Sequence, residues 1–260
     1  MKNIRILHLY SDALDLYGDY KNLTVLCQRI AETGNTSEIT EVNLGEAIDP
    51  SGFDFVYIGH GKARNLAAVA PHFVQYSASI RAAIEGGQLW LVTGNARELF
   101  GQSFTTPAGE VLPGIGLFNY TGVETNKVFV SDVLAQPVYD EAARVYGFVN
   151  RTAYLEGENS NPLFTVLSGC GDGETPDGKE GTLYRNFFAT WSMGPILARN
   201  PSLMRELLHR LLGDDYRECD FSLEEKALNL VIAEFEKNKE GSQRTTIEAV
   251  GKGCKESFLR

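Results

Sequence analysis

The chain is poor in cysteine. Four are scattered through 260 residues (Cys27, Cys170, Cys219, Cys254), with no CxxC pair. That spacing points to neither a zinc site nor a disulfide framework, and so to a protein with reduced thiols. Positive charge is also scarce: 24 Lys and Arg stand against 34 Asp and Glu, a net charge of -10. A chain this acidic lacks the basic surface that nucleic acids and anionic membranes require, so neither is expected as a partner. Long apolar runs are missing as well. No stretch approaches a membrane span, and the opening "MKNIRILHLYSDALDLYGD" is too short and too polar in its apolar part for a signal peptide. A cytoplasmic protein is expected, and no residue cluster calls for a metal or a cofactor.

What is present is an ordinary globular composition, 43% hydrophobic and 22% charged, long enough for a substantial core. Strand-like runs fall at Ile4–Leu9, Phe53–Ile58, Leu89–Thr93, Lys127–Val130, Phe164–Leu167 and Phe187–Thr190. Between them lie helical periods. Leu23, Leu26, Cys27 and Ile30 share a face and Gly34 ends that helix, while Ser77–Ile84 closes at Gly86-Gly87. Asn200-Pro201 supplies an N-cap and a first-turn proline. Ser222 to Glu225 reads as a capping box opening a helix through Phe235. Strand–helix alternation over the first hundred residues predicts an α/β fold, a mostly parallel sheet with helices on both faces. The glycine-rich stretch from about 109 to 177 predicts antiparallel additions. The expected organisation is a domain over 1–215, a helix over 216–240 packing on or extending from it, and a disordered tail over 241–260.

In parallel sheets ligands sit beyond the carboxyl ends of the strands. Four segments leave strands in that position: Ser11–Asn22, Gly59–Arg64 ("GHGKAR"), Gly94–Arg97 and Thr190–Ile196 ("TWSMGPI"). "LWLVTGNARELFG" has the strand–turn–helix rhythm on which many α/β enzymes mount a nucleophile, yet the turn residue is glycine.

Five segments carry a family resemblance: "LHLYSDALDLYGDYKN", "DFVYIGHGKAR", "FTTPAGEVLPGIGLFNYTGVETNK", "DGKEGTLYRN" and "GPILARNP". In this order, over roughly residues 4 to 235, they resemble the cobyric-acid-synthase-like class I glutamine amidotransferases, and among them the small glutaminase subunits of lipid II isoglutaminyl synthases. The resemblance implies a flavodoxin-like α/β fold. It also implies glutamine hydrolysis through a cysteine thioester, with ammonia passed to a Mur-ligase-like or related synthetase partner in peptidoglycan or cobalamin chemistry. Family members carry the nucleophile in a Cys-Gly-Gly-x-Gln elbow and the base in a His-Gly-Pro turn. Here the elbow reads Gly94-Asn95-Ala96-Arg97-Glu98 and the turn Met193-Gly194-Pro195. Gly94 has no nucleophile and the Met193 thioether is no base.

By the same resemblance Gly59, His60, Gly61, Arg64, Asn95, Arg97 and Lys127 surround the former glutamine pocket, where an amino-acid-like ligand is expected. Lys127 falls where relatives hold the substrate α-carboxylate with arginine. Three readings stay open: a binding or regulatory subunit without glutaminase activity, an active amidotransferase using displaced residues such as His60 or Cys170, and a small-molecule binder reusing the pocket. The first is the leading one.

Overall fold

A computed structural model describes residues 1–175, 178–244 and 255–258. In chain order the strands are β1 (Asn3–Leu9), β2 (Thr36–Val42), β3 (Phe55–Ile58), β4 (Leu89–Thr93), β5 (Ser103–Thr105), β6 (Val111–Pro113), β7 (Tyr120–Pro137), β8 (Val145–Gly157), β9 (Phe164–Ser168), β10 (Lys179–Glu180), β11 (Thr182–Tyr184), β12 (Phe187–Thr190) and β13 (Lys255–Phe258). The helices are α1 (Lys21–Glu32), α2 (Ala63–Gln75), α3 (Ser77–Glu85), α4 (Ile196–Arg199), α5 (Pro201–Leu212) and α6 (Ser222–Arg244).

One sheet runs β11-β12-β4-β3-β1-β2, parallel throughout except for the edge strand β11. Its parallel part has the flavodoxin order, with the chain reversing direction across the sheet beside β1 and β3. Both faces are covered, which is why β3 and β4 are buried at every position rather than alternating. Alternate side chains serve opposite layers. Phe55, Tyr57, Leu89 and Leu91 pack with Leu23, Leu26 and Ile30 of α1 and Leu203, Leu207 and Leu208 of α5. Val56, Ile58, Trp90 and Val92 pack with Leu66, Val69, Phe73, Ile80 and Ile84 of α2 and α3.

The second sheet is built on the long β7–β8 ladder, antiparallel from Tyr120↔Gly157 to Ala135↔Val145 with an irregularity between Glu124 and Phe129. It realises the antiparallel additions expected from the middle of the sequence, although β5 joins β7 in parallel. Along β8 one residue in two is buried from Val145 to Leu155, and Arg151 occupies one of those inward positions.

Local signals hold at the helix C-termini, whereas the two expected N-caps differ: Ser222 is the first residue of α6, where the Glu225 N–H donates to the Phe221 carbonyl (2.9 Å), and Asn200 is the other. Gly34 and Gly87 take φ of 81° and 85°, ending α1 and α3 as their positions predict. Asn200 precedes α5, but its side chain caps nothing. Its amide donates to the carbonyls of Tyr146 and Ile196 (both 2.8 Å), and its Oδ1 accepts the Tyr146 N–H (2.7 Å). The buried edge of β8 outcompetes the helix terminus for that amide, because its backbone groups have no water to turn to. The tail expected over 241–260 lies largely outside the described residues. Of its described part, α6 continues to Arg244 and β13 pairs antiparallel with β7.

Candidate functional site

β4 delivers Gly94 at φ +58°, the left-handed conformation of an elbow, and residues 94–100 continue as a 3-10 helix rather than the α-helix that the periodicity suggests. Two loops converge on this turn. The segment after β1 brings Asp19, fully buried. Its carboxylate accepts the backbone N–H of His60 (2.9 Å), the Asn22 amide (3.1 Å) and the Thr93 hydroxyl. Burial raises Asp19 to about 6 against these hydrogen bonds. The segment after β3 passes so close beneath this loop that only glycine fits on either side of His60: a Cβ on Gly61 would lie 3.1 Å from the Ala13 carbonyl, and one on Gly59 would strike that of Leu14.

His60 decides what the elbow can carry. A Cβ on Gly94 would come within 2.6 Å of its Cβ, Cγ and Nδ1. The ring occupies the space that a side chain at the turn would need. It is held there by the Asn95 N–H donating to Nδ1 (3.1 Å) and by Tyr17 stacked parallel at 6.1 Å. Tyr17 has a positive φ of 64°, a strain of the kind that persists where surrounding structure imposes it. Burial lowers His60 to about 4, so the ring is neutral at pH 7, with its proton on Nε2 because Nδ1 is an acceptor. Asn95 completes the loop clasp, its amide exchanging two hydrogen bonds with the Gly61 backbone (3.0 and 2.9 Å).

Beside the elbow lies a cavity of about 160 Å³. Of the residues expected to surround the old pocket, His60, Gly61 and Asn95 line it. The others stand apart. Gly59 sits behind the His60 loop and Arg64 is exposed on α2. Lys127 pairs with Glu174 (2.9 Å). Arg97 turns away from the cavity into the protein. Fully buried, it forms a fork with Asp172 (2.5 and 2.9 Å), lies 3.5 Å from Glu180 and donates to Thr182 (3.3 Å). A guanidinium without water finds its lowest energy against buried carboxylates, so Arg97 joins the elbow to β10 and β11. Met193 is buried. Cys27 and Cys219 are free thiols. Cys170 is 1% exposed and disulfide-bonded, a pairing that corrects the expectation of reduced thiols and that cysteine spacing alone does not reveal.

Besides Lys62 of the "GHGKAR" loop, the cavity has three charged groups to which sequence reading gives no role, Glu98, Glu124 and Arg151. Arg151 carries a detectable signal, an arginine on the apolar side of an alternating strand. It stacks over Phe129 and Trp191 and donates to the carbonyls of Ala153, Gly171 (2.8 Å) and Gly173 (2.9 Å), and burial lowers it to about 10. Glu98 is 4% exposed, and its carboxyl has no hydrogen bond among the described residues. Burial above all raises it to about 8, the Glu124 charge adding to the effect while Arg151 and Arg97 oppose it. The folded protein thus keeps a proton that the unfolded chain gives up above its ordinary 4.5. Stability from this group is complete at low pH and is lost as pH rises from about 4.5 to about 8. Glu98→Gln is therefore expected to gain on the parent by roughly 3 kcal/mol between pH 5 and pH 8. Chemical denaturation at the two pH values checks it, and parallel pH profiles would remove Glu98 as the cause.

This assembly has the layout of a known family. The family model for the CobB/CobQ-like glutamine amidotransferase domain matches residues 5–201. The chain belongs to that family. It is 30% identical over 214 residues to the GatD subunit of the glutamine-hydrolysing lipid II isoglutaminyl synthase of Staphylococcus aureus, covering 81% of this chain and 85% of that one. The corresponding subunit from Streptococcus pneumoniae is 28% identical over 235 residues, covering 89% of each. Among solved structures, PurLQS from Thermotoga maritima superposes with a TM-score of 0.54 at 11% identity, and a glutamine amidotransferase crystal structure with 0.51 at 16%. They cover 81% and 79% of this chain and 98% of each of those chains, and at such identities they speak for the class I amidotransferase fold alone. Within that fold, Gly94 stands at the elbow and the segments after β1 and β3 converge on it.

Proposed function

We propose that this chain is a glutamine amidotransferase-like subunit that binds or regulates rather than hydrolyses glutamine, and that it works with a synthetase of the Mur-ligase type in amidation of a peptidoglycan precursor. Both curated relatives are subunits of lipid II isoglutaminyl synthase, which supports the synthetase partner and the cell-wall setting. The observation that carries the loss of chemistry is at Gly94: no thiol is present, and the His60 ring fills the place where one would project. Met193 offers no imidazole at the other catalytic position. Thioester formation needs a nucleophile and a base acting as a unit, and loss of either costs on the order of 10⁶ in rate. Rescue by displaced groups finds no support. His60 is neutral, enclosed and committed to the Asn95 N–H, and Cys170 is not a free thiol.

The expected result is no ammonia from glutamine above background, from the purified chain or from the complex with its synthetase. Steady ammonia release that stops on alkylation of the free thiols overturns the reading. A second reading, a small-molecule binder, is favoured by the cavity beside the elbow, which His60, Gly61 and Asn95 line while Arg97 and Lys127 are engaged elsewhere. Thermal shift with glutamine, glutamate and other small ligands separates the two.

A further inference from the structure

A second cleft opens on the other side of the loop that follows β1, between the start of α1 and the edge strand β2. The loop keeps it apart from the elbow. Leu16 and Tyr17 line the cavity beside Gly94, whereas Asp12 and Asp15 line this cleft. Its most enclosed polar residue is His8 of β1, 3% exposed, whose Nε2 is buried without a partner. Buried polar groups in folded proteins are normally matched, so an unmatched one lining an open cleft points to an occupant. In the parallel β1–β2 register Glu41 lies beside His8 and Ile39 beside Ile6, on the sheet face that carries α1. The charges that act on His8 are those of Glu41 and Asp15, both negative, and burial outweighs them, so the ring is neutral at pH 7. Asp12 and Glu41 are exposed, and their carboxylates have no hydrogen-bond or ion-pair partner among the described residues. Among those residues no lysine or arginine lines the cleft. An anion is poorly served by the start of α1, where N–H groups are in use. Those of Leu23 and Thr24 donate to the Tyr20 carbonyl (2.9 and 3.4 Å), that of Asn22 to the Asp19 carbonyl (3.0 Å) and that of Tyr20 to the Asp15 carboxylate (2.9 Å). No group of three or more His, Cys, Asp and Glu among the described residues is placed to hold a metal ion, so the acceptors are too spread for a point charge.

We propose that this cleft binds a guanidinium group carried on an alkyl stem, its N–H donors shared among the carboxylates of Asp12, Asp15 and Glu41 and the imidazole of His8. A planar fork of donors reaches several separated acceptors at once, which a compact ammonium does not. The remaining wall suits the stem. Leu23 is buried, while Tyr20 and Ile39 are 45% and 44% exposed, apolar surface that a bound alkyl chain covers. About 450 Å³ leaves room for such a group together with water. The place is separate from the elbow, and the proposal holds whether or not glutamine is hydrolysed. Two sources supply this chemistry, a free guanidino compound and an arginine on a segment of another protein. The second has a route, because β2 pairs only with β1 among the described residues and leaves its outer edge open to an extended segment. A second copy of this chain is a poor candidate for that segment, since each copy brings Glu38, Glu41 and a net charge of -10 to the contact.

The test is titration of the intact, isotope-labelled chain with butylguanidinium chloride, followed by backbone amide shifts in NMR. Butylurea, which keeps the stem and the N–H donors without the charge, is run beside it. So is tetramethylammonium chloride, which keeps the charge without the donors. Saturable shifts are expected over residues 8–15 and 39–43, with a Kd of about 10 mM or tighter, and are absent or far weaker for the two controls. Affinity should fall about two- to fivefold in each of Asp12→Asn and Glu41→Gln, and about tenfold in the pair. His8→Phe, which keeps a ring and removes its nitrogens, should weaken binding as well. The exposed positions of Asp12 and Glu41 keep their variants informative should His8→Phe fold poorly. No saturation by about 100 mM, equal binding of either control, shifts confined to the elbow, or an affinity unchanged in the Asp12→Asn, Glu41→Gln pair each overturns the proposal. The source is read from acetyl-Thr-Val-Arg-Val-Thr-amide. An affinity at least about fivefold above that of butylguanidinium assigns the site to an extended segment on β2, and an equal affinity assigns it to a free guanidino compound.

Discussion

Placing a cysteine at the elbow is expected to destabilise the protein rather than to give it glutaminase activity. Gly94→Cys meets two costs. A residue with a Cβ at φ +58° loses about 1–2 kcal/mol to the left-handed conformation. The new Cβ would also lie within 2.6 Å of the His60 ring, so the ring must leave its place between the Asn95 N–H and Tyr17. Together these should lower stability on the order of 2–4 kcal/mol, read as a shift in denaturation midpoint without a change in m. Gly94→Ala is expected to behave alike, since the clash begins at Cβ. Adding His60→Gly should recover the steric part but not the backbone part, a coupling of at least about 1 kcal/mol in the double-mutant cycle. Gly94→Cys with Met193→His should still release no ammonia, because the displaced imidazole and the Asn95–Gly61 clasp remain where substrate would approach. A cost below about 0.5 kcal/mol for Gly94→Ala would show that His60 is free to move and that the elbow is not blocked.

The second large effect is expected at Arg97. Its guanidinium is the only cation within ion-pair distance of Asp172 and Glu180 among the described residues, and all three are buried. Burial and the neighbouring Asp172 raise Glu180, and the Arg97 fork is made to Asp172. Arg97→Leu strands the Asp172 charge in a site without water and is expected to cost about 3–5 kcal/mol. Arg97→Lys should lie between, keeping the charge and losing the two-pronged geometry. Arg97→Leu combined with Asp172→Asn should recover part of the loss, because the penalty comes from an unmatched charge rather than from a missing attraction. Denaturation of the three variants checks this ordering. If Arg97→Leu cost less than about 1 kcal/mol, the cluster would have to be hydrated and the elbow independent of the second sheet.

Much of the fold can be read from short-range chemistry. Leu89–Thr93 and Phe187–Thr190 coincide with β4 and β12 because a strand buried on both faces must be an unbroken run of apolar or hydrogen-bonded residues. The ends of α1 and α3 follow from glycines at positive φ. Family membership is also written in the linear order of motifs, and the same order puts Gly94 at the elbow and Met193 in the turn after β12. The destination of side chains beyond the elbow is different in kind. Arg97 and Glu98 are neighbours in sequence, yet Arg97 crosses to Asp172, 75 residues on, while Glu98 faces a cavity closed by β7 and β8. Nothing local distinguishes them. Asn200 looks like a helix cap until β8 offers its amide a buried pair of backbone groups. His60 looks like a candidate base until packing removes its water and lowers its proton affinity. The sequence by itself determined which backbone elements form and which reactive groups are absent, because propensity, periodicity and residue identity act within a few positions. Only the tertiary structure decided what occupies the space beside Gly94 and which buried charges meet, because desolvation and close packing are properties of groups brought together from distant parts of the chain.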